Sequence, residues 1–184
     1  MVAIKGEIGS EGDGSAENVM ASMRSALEDS GSQALVLLIN SPGGSPVQAG
    51  LINDEIRRLK ALHKKPIYVV VEESCASAAY YIAAAADKIY VDKASIVGSI
   101  GVLMDGFGFT GLMDKLGVER RLMTGGTNKA MLDPFSPPKP EHSAYLHTLL
   151  PETPSPFMAV GKSGRCSRLN AMPSIFSGLV WHHQ

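Results

Sequence analysis

The sequence predicts an α/β fold built on parallel strands, and three observations predict it. Two continuous apolar runs of strand length, Ala34–Ile39 and Pro66–Val71, lack the alternation of a strand with one wet face and so read as strands covered on both sides. Each is followed by a turn of small residues that opens a helix-patterned stretch. Strand and helix patterns then keep alternating, the arrangement that right-handed crossovers assemble into a parallel sheet.

Taken in order, Val2, Ile4 and Ile8 with their polar partners give a half-buried first strand that ends in the turn cluster Gly9–Ser15. Ser15 can cap a helix from Ala16 to Glu28 with Val19, Met20, Met23 and Leu27 on one face. After the Ala34–Ile39 strand, Asn40-Ser-Pro-Gly-Gly-Ser45 breaks the chain. A helix from Val47 to His63 follows, with Leu51, Ile52, Ile56 and Leu59 inward and Arg57, Arg58, Lys60, Lys64 and Lys65 outward near the end where cations suit the dipole. Pro66–Val71 and a very apolar helix, Ala78–Ala86, come next. Lys88–Val91, Ser95–Leu103 and Val118–Thr124 read as further strands, with short helices near Leu112–Leu116 and Glu141–Leu150. Seven of the eleven prolines fall between Pro134 and Pro156, which makes a helix through 151–156 unfavourable.

Composition bounds the function. Among 184 residues, 17 basic and 18 acidic side chains leave a net charge of −1, so no basic footprint marks a nucleic-acid binder. With 45% apolar residues and only 19 Gly and 11 Pro, the chain is not a disordered one. A charge fraction of 19% leaves little polar surface and points to buried subunit interfaces. Met1–Ser10 lacks the basic and apolar regions of a signal peptide, and the longest apolar stretches fall far short of the ~20 residues that span a bilayer. The residues read as soluble. Cys75 and Cys166 form neither a CxxC motif nor a disulfide framework.

Two motifs are decoys. Gly106-Phe-Gly-Phe-Thr-Gly111 matches GxGxxG but carries bulky phenylalanines and precedes a helix of about two turns, and Gly161-Lys-Ser163 lacks the first glycine of a phosphate loop, Pro156 standing in its place. None of the five histidines has the setting of a general base, and each reads as a surface residue; no spacing suggests a metal or any cofactor. The stronger constellation is a pair of strand-to-helix junctions. At Asn40-Ser-Pro-Gly-Gly44, glycines let backbone N–H groups form an anion-binding concavity. Ser77 sits at the second junction, where it is either a plain N-cap or an exposed nucleophile with the Ala78 N–H as a second oxyanion donor.

Four segments in order, Ala34–Gly44 (ALVLLINSPGG), Ser74–Tyr90 (SCASAAYYIAAAADKIY), Ser95–Val102 (SIVGSIGV) and Gly125–Pro134 (GGTNKAMLDP), resemble the signal peptide peptidase A family of serine peptidases, as does the ending Ser174–Trp181. The resemblance implies a ClpP/crotonase-like superhelix of repeated ββα units, with residues 1–150 as the catalytic domain and 151–184 as its C-terminal segment, altered or truncated here. By the same resemblance Ser77 corresponds to the nucleophile, Lys129 to the general base, Ser99 to the serine that orients the lysine, and Gly44 to the loop donor of the oxyanion hole. The neighbours of Lys129 from Gly125 to Leu132 carry no charge, which suits a lysine that must lose its proton to act; Asp133 is the one carboxylate close in sequence that would hold it charged. Ala78 and Ala79 stand where the family commonly has two glycines.

The expected chemistry is an acyl-enzyme mechanism on peptide substrates such as signal-peptide remnants, with an extended substrate pairing along Gly101, Val102 and Leu103. Family members of this length assemble into homo-oligomeric rings in which a neighbouring subunit completes each site. They are usually anchored to the bacterial inner membrane with the site on its extracytoplasmic face; such an anchor is not among these residues. Two other readings remain: a crotonase-type acyl-CoA enzyme, which needs a carboxylate near Ser77 and no Lys129, and a catalytically inactive assembly subunit of the same fold.

Overall fold

The computed structural model describes residues 1–150 and 178–181. The chain divides into two compact units, Met1–Gly101 with Thr153–Gln184, and Val102–Glu152. Elements of the first unit run β1 (Val2–Lys5), α1 (Ala16–Glu28), β2 (Leu35–Ser41), α2 (Pro46–His63), β3 (Ile67–Ala76), α3 (Ala78–Ala83), β4 (Lys88–Tyr90) and β5 (Ile96–Gly98); the second adds α4 (Thr110–Leu116) and α5 (Pro140–Leu149), and β6 (Val180–Trp181) returns to the first. The sheet has the order β1-β2-β3-β5-β6, with β4 also on β3, and every pairing is parallel except β5 with β6. This is the α/β class that the alternating pattern predicts.

Side-chain chemistry sets each boundary. Ser15 Oγ accepts the Asn18 N–H at 3.4 Å and starts α1, which buries Val19, Met23 and Leu27 one turn apart. Ser45 caps α2 in the same way through the Gln48 N–H, with Pro46 in the first turn, and the Gln48 side chain reaches back to the Ala16 N–H at 2.8 Å. In β2 the residues Leu35, Leu37, Ile39 and Ser41 are buried while those between them are half-buried, so one face carries the core and the other is only partly covered. Strand β3 runs on to Ala76 because it changes partner on the way: Tyr68–Val70 pair with β4, and Ser74–Ala76 pair with β5.

Three details from α2 to Leu103 differ from the sequence reading. Helix α3 ends at Ala83, three residues early. On α2 the buried stripe is Ala49, Ile52, Ile56 and Leu59, with Asn53 and Glu55 buried beside it, while Leu51 lies outside the stripe and is 47% exposed. Strand β5 stops at Gly98; Gly101, Val102 and Leu103, expected as its continuation, have no regular secondary structure. In the second unit the strand expected over Val118–Thr124 does not form, because that unit offers no partner strand among the described residues and a lone strand leaves its backbone groups unpaired. Pro151–Pro156, Cys166, Gly161–Ser163 and the two terminal histidines lie outside the described residues.

Glu55 is the electrostatic link between α1 and α2, bonded to Arg58 at 2.7 and 2.8 Å and also to Arg24. Hydrogen bonding from Arg58 holds its carboxyl down at about 2 against the burial that pushes it up, and Arg24 lowers it further. A carboxyl whose native pKa is depressed stabilises the fold above its unfolded value and loses that contribution as pH falls through the native one. Thermal stability is therefore expected to decline between about pH 4.5 and about 2 as Glu55 takes up its proton. Glu55→Gln should flatten that limb and cost about 1–3 kcal/mol at neutral pH, measured by denaturant unfolding; an unchanged acid limb would remove Glu55 from this role.

Candidate active site

Ser77 closes β3 and opens α3 with its backbone at φ 52 and ψ −122, a positive φ unusual for a residue with a side chain. Its hydroxyl makes no capping bond. A positive φ on a residue with a side chain is strained, at a typical cost of ~1–3 kcal/mol, and Ser77 does not serve the helix as a side-chain cap. The strain is held from both sides. The Ser77 N–H donates to the Gly98 carbonyl at 2.7 Å, and the Ser77 carbonyl accepts the Tyr81 N–H at 3.1 Å. Ala78 and Ala79 are fully buried, so methyl groups fill the positions where glycines were expected from the family pattern.

The Asn40–Gly44 loop is stitched alongside. Asn40 Oδ1 accepts the Ser74 N–H at 3.2 Å, Ser74 Oγ donates to the Ser41 carbonyl at 3.3 Å, and Ser41 Oγ accepts the Gly43 N–H at 3.1 Å. Gly43 (φ 109) and Gly44 (φ 141) both lie in the region that favours glycine. A Cβ on Gly43 would stand 2.8 Å from both Ser77 Cβ and the Ala76 carbonyl oxygen and 3.1 Å from the Ala78 nitrogen; one on Gly44 would stand 2.2 Å from the Ile8 carbonyl oxygen. Gly43, which the sequence reading did not single out, is thus the residue packed on the serine. The signal was present in the second glycine of the pair, but only the fold says which glycine faces which neighbour.

Ser99 is placed by β5: Ala76 pairs with Gly98, so Ser99 lies one residue past the strand-end bond to Ser77. It too has a positive φ, 52, and its N–H donates to the Leu179 carbonyl at 2.8 Å. Ser77, Ala78, the Gly43–Gly44 turn and Ser99 are therefore gathered at one end of the sheet in the first unit. Lys129, Val102 and Leu103 belong to the second unit.

There Lys129 sits in a turn, its N–H donating to the Gly126 carbonyl at 3.3 Å, and its side chain is exposed rather than buried among its uncharged neighbours. Asp133, the carboxylate that threatened to hold it charged, is engaged instead by Arg120 and Ser136. Arg120 also lies over the Phe135 ring at 5.6 Å. His142 is buried, not a surface residue, with Nε2 3.1 Å from Asn128 Oδ1; this bond pins the residue before Lys129. Cys75, two residues before Ser77, is fully buried, and that burial pushes its thiol up to about 12, which leaves it inert as a nucleophile. Among the described residues no group of three or more His, Cys, Asp or Glu is placed to hold a metal.

Comparison with known proteins gives these arrangements a context. The sequence model of peptidase family S49 matches residues 60–184, and that of the Clp proteases matches residues 1–97. The chain is 46% identical over 159 residues to the Na(+)/H(+) antiporter NhaA of Brucella melitensis, a match that takes in 86% of this chain and 22% of that protein. It is 30% identical over 179 residues to Protease 4 of Haemophilus influenzae (97% of this chain, 28% of that one) and 27% identical over 180 residues to the chloroplastic serine protease SPPA of Arabidopsis thaliana (97% and 26%). The chain thus spans less than a third of each of these relatives. ClpP1 from Listeria monocytogenes aligns with a TM-score of 0.44 at 26% identity over 53% of this chain and 54% of that one. No helix among the described residues is long and apolar enough to cross a membrane. The S49 match runs through well over half of the residues, the Ser77 turn included, and the chain belongs to peptidase family S49.

Proposed function

We propose that this protein is a serine peptidase in which Ser77 and Lys129 act as a dyad on peptide substrates. The observation that carries the reading is the strained Ser77 backbone with a hydroxyl left out of capping. Neutral Lys129 takes the Ser77 proton as Oγ attacks the scissile carbonyl; the oxyanion is held by the backbone N–H groups of Gly44 and Ala78; the proton passes to the leaving amine as the C–N bond breaks. Water, activated by the same lysine, then attacks the ester, releasing the acyl fragment and restoring Ser77. Ser99 orients the lysine. Signal-peptide remnants and other small extended peptides are the substrate class, bound alongside Gly101, Val102 and Leu103.

A base lysine needs surroundings drier than its own unit provides, and the apolar side chains of that unit that face solvent, such as Leu103, Phe107 and Met123, at 80%, 80% and 93% exposure, point to what covers it. Copies of the chain pack on this surface, forming a ring and closing each site. Light scattering at micromolar concentration should give a mass several times the 19.5 kDa of one chain; a stable monomer would sink the assembly reading. The activity itself is tested by a fluorophosphonate probe: phosphonylation of Ser77, located by mass spectrometry, separates a peptidase from an inactive assembly subunit.

A further inference from the structure

We infer that Asn53 is a positioning residue for the nucleophile, acting through helix α3; the inference rests on the reading of Ser77 as the attacking group. Asn53 is fully buried in the apolar stripe of α2, between Ile52 and Ile56. An amide in such a place is costly unless each of its ends is bonded. Both are. Its Nδ2 donates to the Tyr81 carbonyl at 2.7 Å, and its Oδ1 accepts Arg57 Nε at 2.9 Å.

The bond to Tyr81 meets a specific need. Because α3 ends after six residues, the Ala84 N–H bonds to the Tyr80 carbonyl and the Ala85 N–H to the Ile82 carbonyl. The Tyr81 carbonyl is passed over by these closing bonds, and Asn53 caps it from the neighbouring helix. The same Tyr81 residue holds the Ser77 carbonyl through its N–H. One peptide chain thus links the side chain of Asn53 to the strained serine, one turn of helix apart.

Helix α2 begins, after the Ser45 cap, directly from the Gly43–Gly44 turn. It is therefore the strut common to both halves of the site: its first residues fix the glycine turn that packs on Ser77, and its second turn fixes the helix that starts there. Leucine would fill a similar volume in an apolar stripe, yet could hold nothing. The amide sets the angle and height of α3 against α2, and with them the direction of Ser77 Oγ and the Ala78 N–H.

The test is Asn53→Leu, which keeps bulk and removes the hydrogen bond. Phosphonylation of Ser77 by a fluorophosphonate, and kcat on a peptide ester, should each fall about tenfold or more with KM little changed, because misdirection of a nucleophile acts on the reacting step. The melting temperature, read in parallel, should fall by several degrees, the cost of taking this bond from the Tyr81 carbonyl, and the rates are compared well below it. Should the leucine variant fail to fold, Asn53→Ala replaces it, with the rate measured on the folded fraction. Wild-type labelling and kcat in either folded variant would overturn the inference. Ser77→Ala labelled as readily as the wild type would instead overturn the nucleophile reading, whatever Asn53 does.

Discussion

Ser77→Ala is expected to bring peptide and ester hydrolysis to background, a loss of about a millionfold in kcat where a serine nucleophile and its base act as a unit. Lys129→Ala should lose about a hundred- to ten-thousandfold or more, the contribution of a general base that also returns the proton to the leaving group. The double variant should be no worse than Ser77→Ala, because a base has nothing to act on once the hydroxyl is gone. Lys129→Arg should not rescue, since a guanidinium does not give up its proton in this range. These four chains, assayed with one ester substrate and one fluorophosphonate, separate the dyad from its rivals. Hydrolysis at an unchanged rate in Lys129→Ala would make the dyad wrong and return the acyl-CoA reading to consideration.

The second large effect is steric. Gly43→Ala places a methyl 2.8 Å from Ser77 Cβ and from the Ala76 carbonyl oxygen, on a backbone at φ 109, so either the glycine turn or the serine has to move. Neither partner is the tip of a flexible side chain. A displacement approaching 1 Å at a reacting group costs about a hundredfold in rate, and we expect that loss in kcat/KM together with about 1–3 kcal/mol of stability from overpacking. Gly50→Ala supplies the control. It lies in the middle of α2 with nothing within 4 Å of the added methyl, and it should leave activity intact while gaining up to about 1 kcal/mol in helix propensity. If Gly43→Ala is as active as Gly50→Ala, the turn does not pack on a working nucleophile.

How far the sequence could be read depended on whether the deciding contact was local. The bounds of α1 followed from Ser15 and the spacing of Val19, Met23 and Leu27, all within one helix. The rotation of α2 did not, because Asn53 and Glu55 look like solvent-facing residues until Tyr81, Arg24 and Arg58 are known to meet them. His142 was misplaced for the same reason: its partner Asn128 lies fourteen positions away on a turn. Val118–Thr124 has strand composition but no partner strand among the described residues of its unit, and pairing, not propensity, makes a strand. The junctions at Gly44 and Ser77 were legible as places where strand meets helix. The positive φ of Ser77, which turns a possible cap into a possible nucleophile, was not, since nothing in the residue type announces it.

The pairing of β6 with β5 has a consequence in time. Ser77 is held by Gly98, and Ser99 by Leu179, so the serine expected to aim the lysine is anchored to residues synthesised long after Ser77 and the glycine turn have left the ribosome. Contacts between such distant positions are the slowest to form in folding. A nascent chain carrying everything up to Lys129 still lacks the segment that pins Ser99, and this end of the sheet is completed only when Leu179, Val180 and Trp181 arrive. Synthesis itself then works as a delay on the completion of the sheet end that carries Ser77 and Ser99.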